Sequence, residues 1–181
     1  MSDSEIKDSE IKDPEIKDSE IKDPNKLYYT YNDIHNLVVD LSNKILNSDF
    51  KPDYILAIGG GGYIPGRILR TFLKIPIVSV TINFYDSNNN IKNFPNVIQW
   101  IENLDLENKN ILIVDEIDDT RRTLKYIIKR LKKENIKNLG VAVIHNKIKK
   151  KEIVFNDIPY FSALDIEDKW VVYPWDIEEK V

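Results

Sequence analysis

The chain reads as an α/β domain in which helices pack against a parallel sheet. Short apolar runs of strand length alternate along it with amphipathic stripes of helical period. One run, Ile111 to Val114, contains no polar residue and makes a buried strand. The residues with chemistry to offer come just after such runs, at the carboxyl ends of strands, where open α/β sheets bind their ligands.

Residues 1–25 form a pentad repeat. Asp3-Ser-Glu-Ile-Lys7 recurs from Asp8 and Asp18, a proline version starts at Asp13, and Asp23-Pro-Asn ends the series. One apolar residue in five fits neither a helix stripe nor a strand face, and Pro14 and Pro24 interrupt any helix. A solvated, disordered tail is expected, with a docking or self-association tag as the functional alternative.

A domain is expected over residues 26–181. Ile34, Leu37, Val38, Leu41 and Ile45 fall on one helical stripe, with His35 beside it at the rim. Tyr54 to Ile58 is a short apolar strand, followed by a loop from Gly59 to Gly62. Pro65 suits a helix first turn, and that helix continues from Arg67 to Leu73. Ile77 to Ile82 is the next strand. Residues 84–109 are polar, with one short strand signal at Val97 to Trp100. After the strand Asn110 to Val114, Leu124, Ile127, Ile128 and Leu131 define a helix. Leu139 to Ile144 is a strand, and Trp170 to Tyr173 is the last.

Composition narrows the function classes. The 181 residues, less the tail, suffice for one domain with a real core. A hydrophobic fraction of 42% is ordinary for a soluble protein. A net charge of −4 argues against nonspecific nucleic-acid binding. No apolar run approaches the ~20 residues of a membrane span, and the N-terminus has no apolar signal core. With zero cysteines there are no disulfides or thiolate metal sites, and the two histidines cannot make a His-rich zinc site. A cytoplasmic protein is expected, with neither nucleic acid nor membrane among its partners.

Asp115 and Glu116 directly follow a buried strand, where two acids repel unless a cation is near; such groups suit a divalent cation and sugar hydroxyls. Helix N-terminal charge explains Asp118 and Asp119 better. Thr120 and Thr123 at a helix start suit a phosphate. Phosphate, diol and metal together describe 5-phosphoribosyl-1-pyrophosphate. The loop Gly59 to Gly62 satisfies no register of the dinucleotide fingerprint, and Arg67-Ile68 replaces the Lys-Ser/Thr of a nucleoside-triphosphate loop. It is either a tight turn or a place where the backbone approaches an anion closely.

The run Asp115-Glu-Ile-Asp-Asp-Thr-Arg-Arg-Thr123 resembles the signature of the type I phosphoribosyltransferases. Ile58-Gly-Gly-Gly-Gly-Tyr-Ile-Pro-Gly-Arg67, Val143-Ile-His-Asn-Lys147 and Asp168-Lys-Trp-Val-Val-Tyr-Pro-Trp-Asp176 resemble further segments of the family. Arg121 stands where the family usually has glycine. That departure resembles the purine enzymes of the yeast hypoxanthine-guanine type.

The resemblance implies the family's parallel-sheet fold, with a small hood from the chain's two ends over a purine site. It implies Mg2+ as cofactor, phosphoribosyl pyrophosphate and a 6-oxopurine as substrates, and a possible homodimer. Asp115 and Glu116 would hold the ribose hydroxyls and metal, and Asp176 a second magnesium. Asp119 would be the general base. The 5′-phosphate would lie against Asp119, Thr120, Arg121, Arg122 and Thr123, with both arginines adding charge. Arg121 resists backbone angles open to glycine, so a differently shaped loop is expected. Gly60 and Gly61 would meet the pyrophosphate. The family often has Arg or Lys at Gly60, so Arg67 or Arg70 would supply charge there. Lys147 would read the purine O6, Trp170 would stack on the ring and the Val171 main chain would bond its edge. Otherwise Lys147 to Lys151 is a solvated basic loop, and Trp175 is read as core. The segment Phe84 to Asn96 would be a lid.

Hypoxanthine-guanine transfer is the first expectation and a xanthine preference the second. A non-catalytic regulator of the same fold usually carries a DNA-binding module, which this chain lacks. A pyrimidine enzyme leaves the C-terminal Trp-Val-Val-Tyr-Pro-Trp-Asp segment without explanation.

Overall fold

A computed structural model describes residues 23–85 and 91–177. The pentad repeat before residue 23 therefore lies outside the described residues.

The elements are β1 (Lys26–Tyr28), α1 (Tyr31–Leu46), β2 (Tyr54–Gly59), α2 (Tyr63–Leu73), β3 (Ile77–Tyr85), β4 (Ile91–Gln99), β5 (Asn110–Asp118), α3 (Arg122–Leu131), β6 (Asn138–Lys147), β7 (Tyr160–Ile166) and β8 (Trp170–Val172). Six strands form one sheet in the order β4-β3-β2-β5-β6-β7. All neighbours are parallel except β4, which runs antiparallel to β3 at one edge. The expected parallel sheet is thus a mostly parallel one. The polar stretch expected to be a lid is largely an antiparallel arm, with residues 86–90 outside the described part. Pro95 fits there because an edge strand can spare one donor.

The sheet separates two cores. Ile111 and Ile113 of β5 join Leu124, Ile127, Ile128 and Leu131 of α3 on one face. Leu112 and Val114 join Ile34, Val38, Leu41 and Ile45 of α1 and Leu69 of α2 on the other. Successive strand side chains alternate faces. A strand covered on both sides therefore needs the unbroken run Ile111 to Val114. Each fully buried aliphatic side chain there contributes roughly 1.5–3 kcal/mol.

The chain winds from β2 through α2 to β3 in one direction, and from β5 through α3 to β6 in the other. The switch point lies between the carboxyl ends of β2 and β5, where such sheets open a crevice. Pairing of β2 with β5 ends at Ala57–Val114, whereas β5 stays on β6 as far as Asp118–Asn146. Asp115 to Asp118 therefore belong to the strand, not to a turn after it. One-sided pairing keeps the backbone extended while exposing its other edge.

Two short strands complete the fold. β1 and β8 pair in parallel, with Lys26 opposite Trp170 and Leu27 opposite Val171. This is the hood expected from the two chain ends, though β1 itself gave no periodic signal.

Candidate active site

The three helices begin differently. α1 carries a full capping box, in which the Thr30 hydroxyl accepts from the Asp33 main-chain N–H at 3.1 Å and Asp33 accepts from the Thr30 N–H at 2.8 Å. α2 starts at Gly62 and α3 at Arg121, and neither has a side-chain cap. Both uncapped N-termini follow strands that flank the switch point. At the α2 start the Tyr63 N–H bonds the Gly60 carbonyl and Pro65 has no N–H, so there it is mainly the positive dipole end that favours an anion, joined at α3 by the remaining first-turn N–H groups.

The glycine loop is packed against this point. A Cβ on Gly61 would collide with the Glu116 carboxylate, and one on Gly62 with the main-chain oxygens of Val114 and Ile58. One on Gly59 would strike Tyr63 and Thr81, whereas one on Gly60 would meet nothing within 4 Å. Close approach to the protein itself thus explains three of these glycines, and Gly60 faces open space. The Gly59–Gly60 peptide is cis. Arg67, proposed for this loop, lies exposed along α2 and bonds Thr71 at 3.0 Å, in the direction away from the helix start.

Asp115 and Glu116 adjoin across β5. The Asp115 carboxyl is held well above the ordinary carboxylate range, first by desolvation and then by the Glu116 charge. Glu116 Oε2 is buried without a hydrogen-bond partner. Asp176 is also raised, by burial and by Glu116. No cluster of three or more ligating side chains occurs among the described residues. Magnesium needs only one or two carboxylates beside its waters and a substrate phosphate. The orphaned Glu116 oxygen and the mutual repulsion of the pair fit such an ion.

A cavity of about 420 Å³ is lined by Phe84 and the run Asp115 to Leu124, a size suited to a small ligand. Thr120 Oγ1 accepts from the Arg122 N–H at 3.4 Å. Arg121 adopts the left-handed conformation, φ 66° and ψ 13°. The loop therefore takes backbone angles that glycine reaches freely. An L-residue pays about 1 kcal/mol for this. The side chain offsets it: Nε donates to Asp118 Oδ2 at 2.9 Å, Nη1 to the Ile153 carbonyl at 3.1 Å, and the guanidinium lies 4.1 Å from the Phe155 ring centre. Arg122 Nε is likewise held by Glu152 at 2.7 Å. Each guanidinium is paired with an acid that also faces a lysine, Asp118 with Lys151 and Glu152 with Lys125.

Asp118, expected as helix N-terminal charge, is instead fully buried. Besides Arg121, it accepts from the Tyr160 hydroxyl at 2.8 Å and faces Lys151 Nζ at 3.2 Å. Burial and Asp118 together push the Tyr160 hydroxyl far up. The basic stretch after β6 is correspondingly not a solvated loop. Lys147 is buried beside Asp119 at 3.8 Å and Asp168 at 3.3 Å, and Lys149 reaches both acids at 2.8 Å.

His145 is fully buried against the Tyr29 ring, with centroids 4.3 Å apart. Burial pushes its pKa down to about 4, so the ring is neutral near pH 7. The Tyr173 hydroxyl donates to the Glu116 carbonyl at 3.1 Å and lies 2.9 Å from His145 Nδ1. With its proton so used, the hydroxyl receives the Nδ1 proton. This relay ties the C-terminal segment to the acid pair, and neither Tyr173 nor His145 stood out as a site residue in the sequence. Trp170 is 69% exposed on β8, leaving its ring free, while the Val171 side chain is buried. Trp175 stacks on Tyr173 at 4.6 Å and packs against the core, as expected.

Two helix N-termini without side-chain caps, beside paired acids at a switch point, give this α/β fold a crevice suited to an anionic, hydroxyl-bearing ligand. The chain belongs to the phosphoribosyl transferase domain family, which it matches over residues 28–180. It is 42% identical to the hypoxanthine-guanine phosphoribosyltransferase of Schizosaccharomyces pombe, over 86% of this chain and 93% of that protein. It is 35% identical to xanthine phosphoribosyltransferase 1 of Saccharomyces cerevisiae, over 85% and 91%. A crystal structure of a hypothetical protein from Neisseria gonorrhoeae with bound ppGpp superposes with a TM-score of 0.76 at 46% identity, covering 84% of this chain and 89% of that one.

Proposed function

We propose that the protein transfers the 5-phosphoribosyl group of phosphoribosyl pyrophosphate to N9 of hypoxanthine or guanine. The products are IMP or GMP and pyrophosphate. The observation that carries this reading is the meeting of two uncapped helix N-termini, an uncompensated acid pair and the Asp119–Lys147 pair around one crevice. The α3 start, with Thr120 and Thr123, takes the 5′-phosphate. Gly60, Gly61 and the α2 start take the pyrophosphate. Asp115 and Glu116 hold the ribose hydroxyls.

Magnesium, held by Asp115 and Glu116 with help from Asp176, would supply positive charge to the pyrophosphate. The chain's own groups do the rest. Trp170 stacks on the purine, Lys147 donates to O6, and Asp119 accepts the proton from N7 as N9 bonds to the ribose. The electron pair of the broken C1–O bond leaves with pyrophosphate. Lys147 reads an oxygen common to hypoxanthine, guanine and xanthine. The xanthine enzyme at 35% identity is the reason to test the third base. The ppGpp of the gonococcal structure joins guanine to ribose and pyrophosphate, the groups this crevice suits, and supports guanine.

The experiment offers each of the three bases with phosphoribosyl pyrophosphate and magnesium and follows nucleotide by absorbance. Turnover of hypoxanthine and guanine with little of xanthine is expected. Turnover of xanthine alone would move the protein to the second group, and none with any base would refute the reading.

A further inference from the structure

Lys149 lies just past β6, and its main-chain N–H donates to the Lys147 carbonyl at 3.0 Å, folding it back over the strand end. Its Nζ bonds Asp119 Oδ1 at 2.8 Å and lies 2.8 Å from Asp168 Oδ2. Lys147 Nζ approaches the same Asp119 Oδ1, at 3.8 Å, and Asp168 Oδ1 at 3.3 Å. Both lysines thus load one oxygen of Asp119. Among the described residues, nothing bonds Oδ2. Lys151 anchors the backbone beneath, donating to the Asp118 and Asp119 carbonyls at 2.6 and 2.9 Å.

We infer that Lys149 is a positioning residue: by bridging Asp119 to Asp168 on the β7–β8 turn, it pins Oδ1 and presents Oδ2 as the oxygen that receives the purine N7 proton. This rests on the function proposed above. A carboxylate held through one oxygen loses its rotational freedom, which is the freedom a general base must give up before transfer. Lys149 suits the task better than Lys147, which is farther from Oδ1 and has O6 to serve. The other charges nearby are engaged: Arg121 and Lys151 by Asp118, and Arg122 by Glu152. In the step, the N7–H bond breaks and Oδ2–H forms. The N7 pair enters the ring, N9 bonds to C1 of the ribose, and pyrophosphate leaves with the C1–O pair.

The test is steady-state kinetics of wild type, Lys149→Met, Lys149→Gln and Lys149→Arg with hypoxanthine at one pH. Neither neutral side chain holds Oδ1 as the ammonium does, so the Met and Gln variants each lose about tenfold in kcat while KM for phosphoribosyl pyrophosphate stays within about twofold. Arginine restores kcat toward wild type. Since the side chain is partly exposed, the glutamine variant provides a folded comparison if methionine disturbs packing. An unchanged kcat in a folded glutamine variant overturns the inference and leaves the proposed function standing. A wild-type protein that turns over no purine overturns both.

Discussion

β5 ends in two acid pairs that differ in what surrounds them. Asp115 and Glu116 have no cation partner among the described residues, and one Glu116 oxygen has no hydrogen bond at all. Asp118 and Asp119 are surrounded by Arg121, Lys147, Lys149 and Lys151. Desolvation costs any buried carboxylate, and it bears on Asp115 and Asp118 more than on the half-exposed Asp119. The difference is who supplies the positive charge. The protein neutralises the second pair itself, fixing the loop and aiming Asp119. The first pair is left without such a partner, as a site proposed above for magnesium would be.

Removing the aimed acid should have the largest effect. Asp119→Asn keeps the shape but cannot accept a proton, so kcat should fall by about 10²–10⁴, read in the same absorbance assay with fold checked by circular dichroism. A loss below tenfold would take the base role from Asp119. Next comes the buried half of the neutralised pair. Asp118→Asn leaves Arg121 and Lys151 facing each other without their acid, and should cost about 3 kcal/mol in urea denaturation. A cost under about 1 kcal/mol would mean that both cations reach water easily.

The unneutralised pair should respond with the opposite sign. A carboxyl whose folded pKa is raised contributes stability below its ordinary value, and that stability is lost as pH climbs toward the raised value. Asp115 is such a group, with Glu116 among its causes. Glu116→Gln should therefore stabilise the metal-free protein by about 1 kcal/mol at pH 8 and much less at pH 5, measured as Tm. The same change should weaken binding of magnesium with phosphoribosyl pyrophosphate. Equal Tm shifts at both pH values would show that repulsion is not the cause. The smallest effect belongs to the rim: the partly exposed Arg122–Glu152 pair should yield under about 1 kcal/mol on Arg122→Ala in the same urea experiment.

Much of this was legible in the sequence because residue type and position coincide there. An unbroken apolar run can only be a doubly covered strand, so β5 and the acids at its end stood out. The helix stripes of α1 and α3 match the buried residues. β7 was missed because it is an edge strand whose residues are mostly half-buried, which blurs any alternation. β1, three residues long, is too short to carry a period. Lys149 and Lys151 were lost in a lysine run where composition cannot distinguish an inward side chain from an outward one. Their spacing from Lys147 gave no signal either, because the chain folds back after that residue and strand alternation stops there. Arg121 illustrates the reverse error. Its conformational penalty was visible, whereas the contacts with Asp118 and Phe155 that offset it come from distant parts of the fold.

The hood has a consequence for synthesis. β1 and β8 lie at nearly opposite ends of the described chain, and neither can pair until the other exists. The two helix ends proposed above to bind anions arise from contiguous strand–helix units that can fold as they emerge from the ribosome. The Trp170 wall is made last, when the growing chain brings β8 back to a strand that has waited since the start. On the proposed assignment, a nascent chain released early would hold phosphate groups before it could select a base.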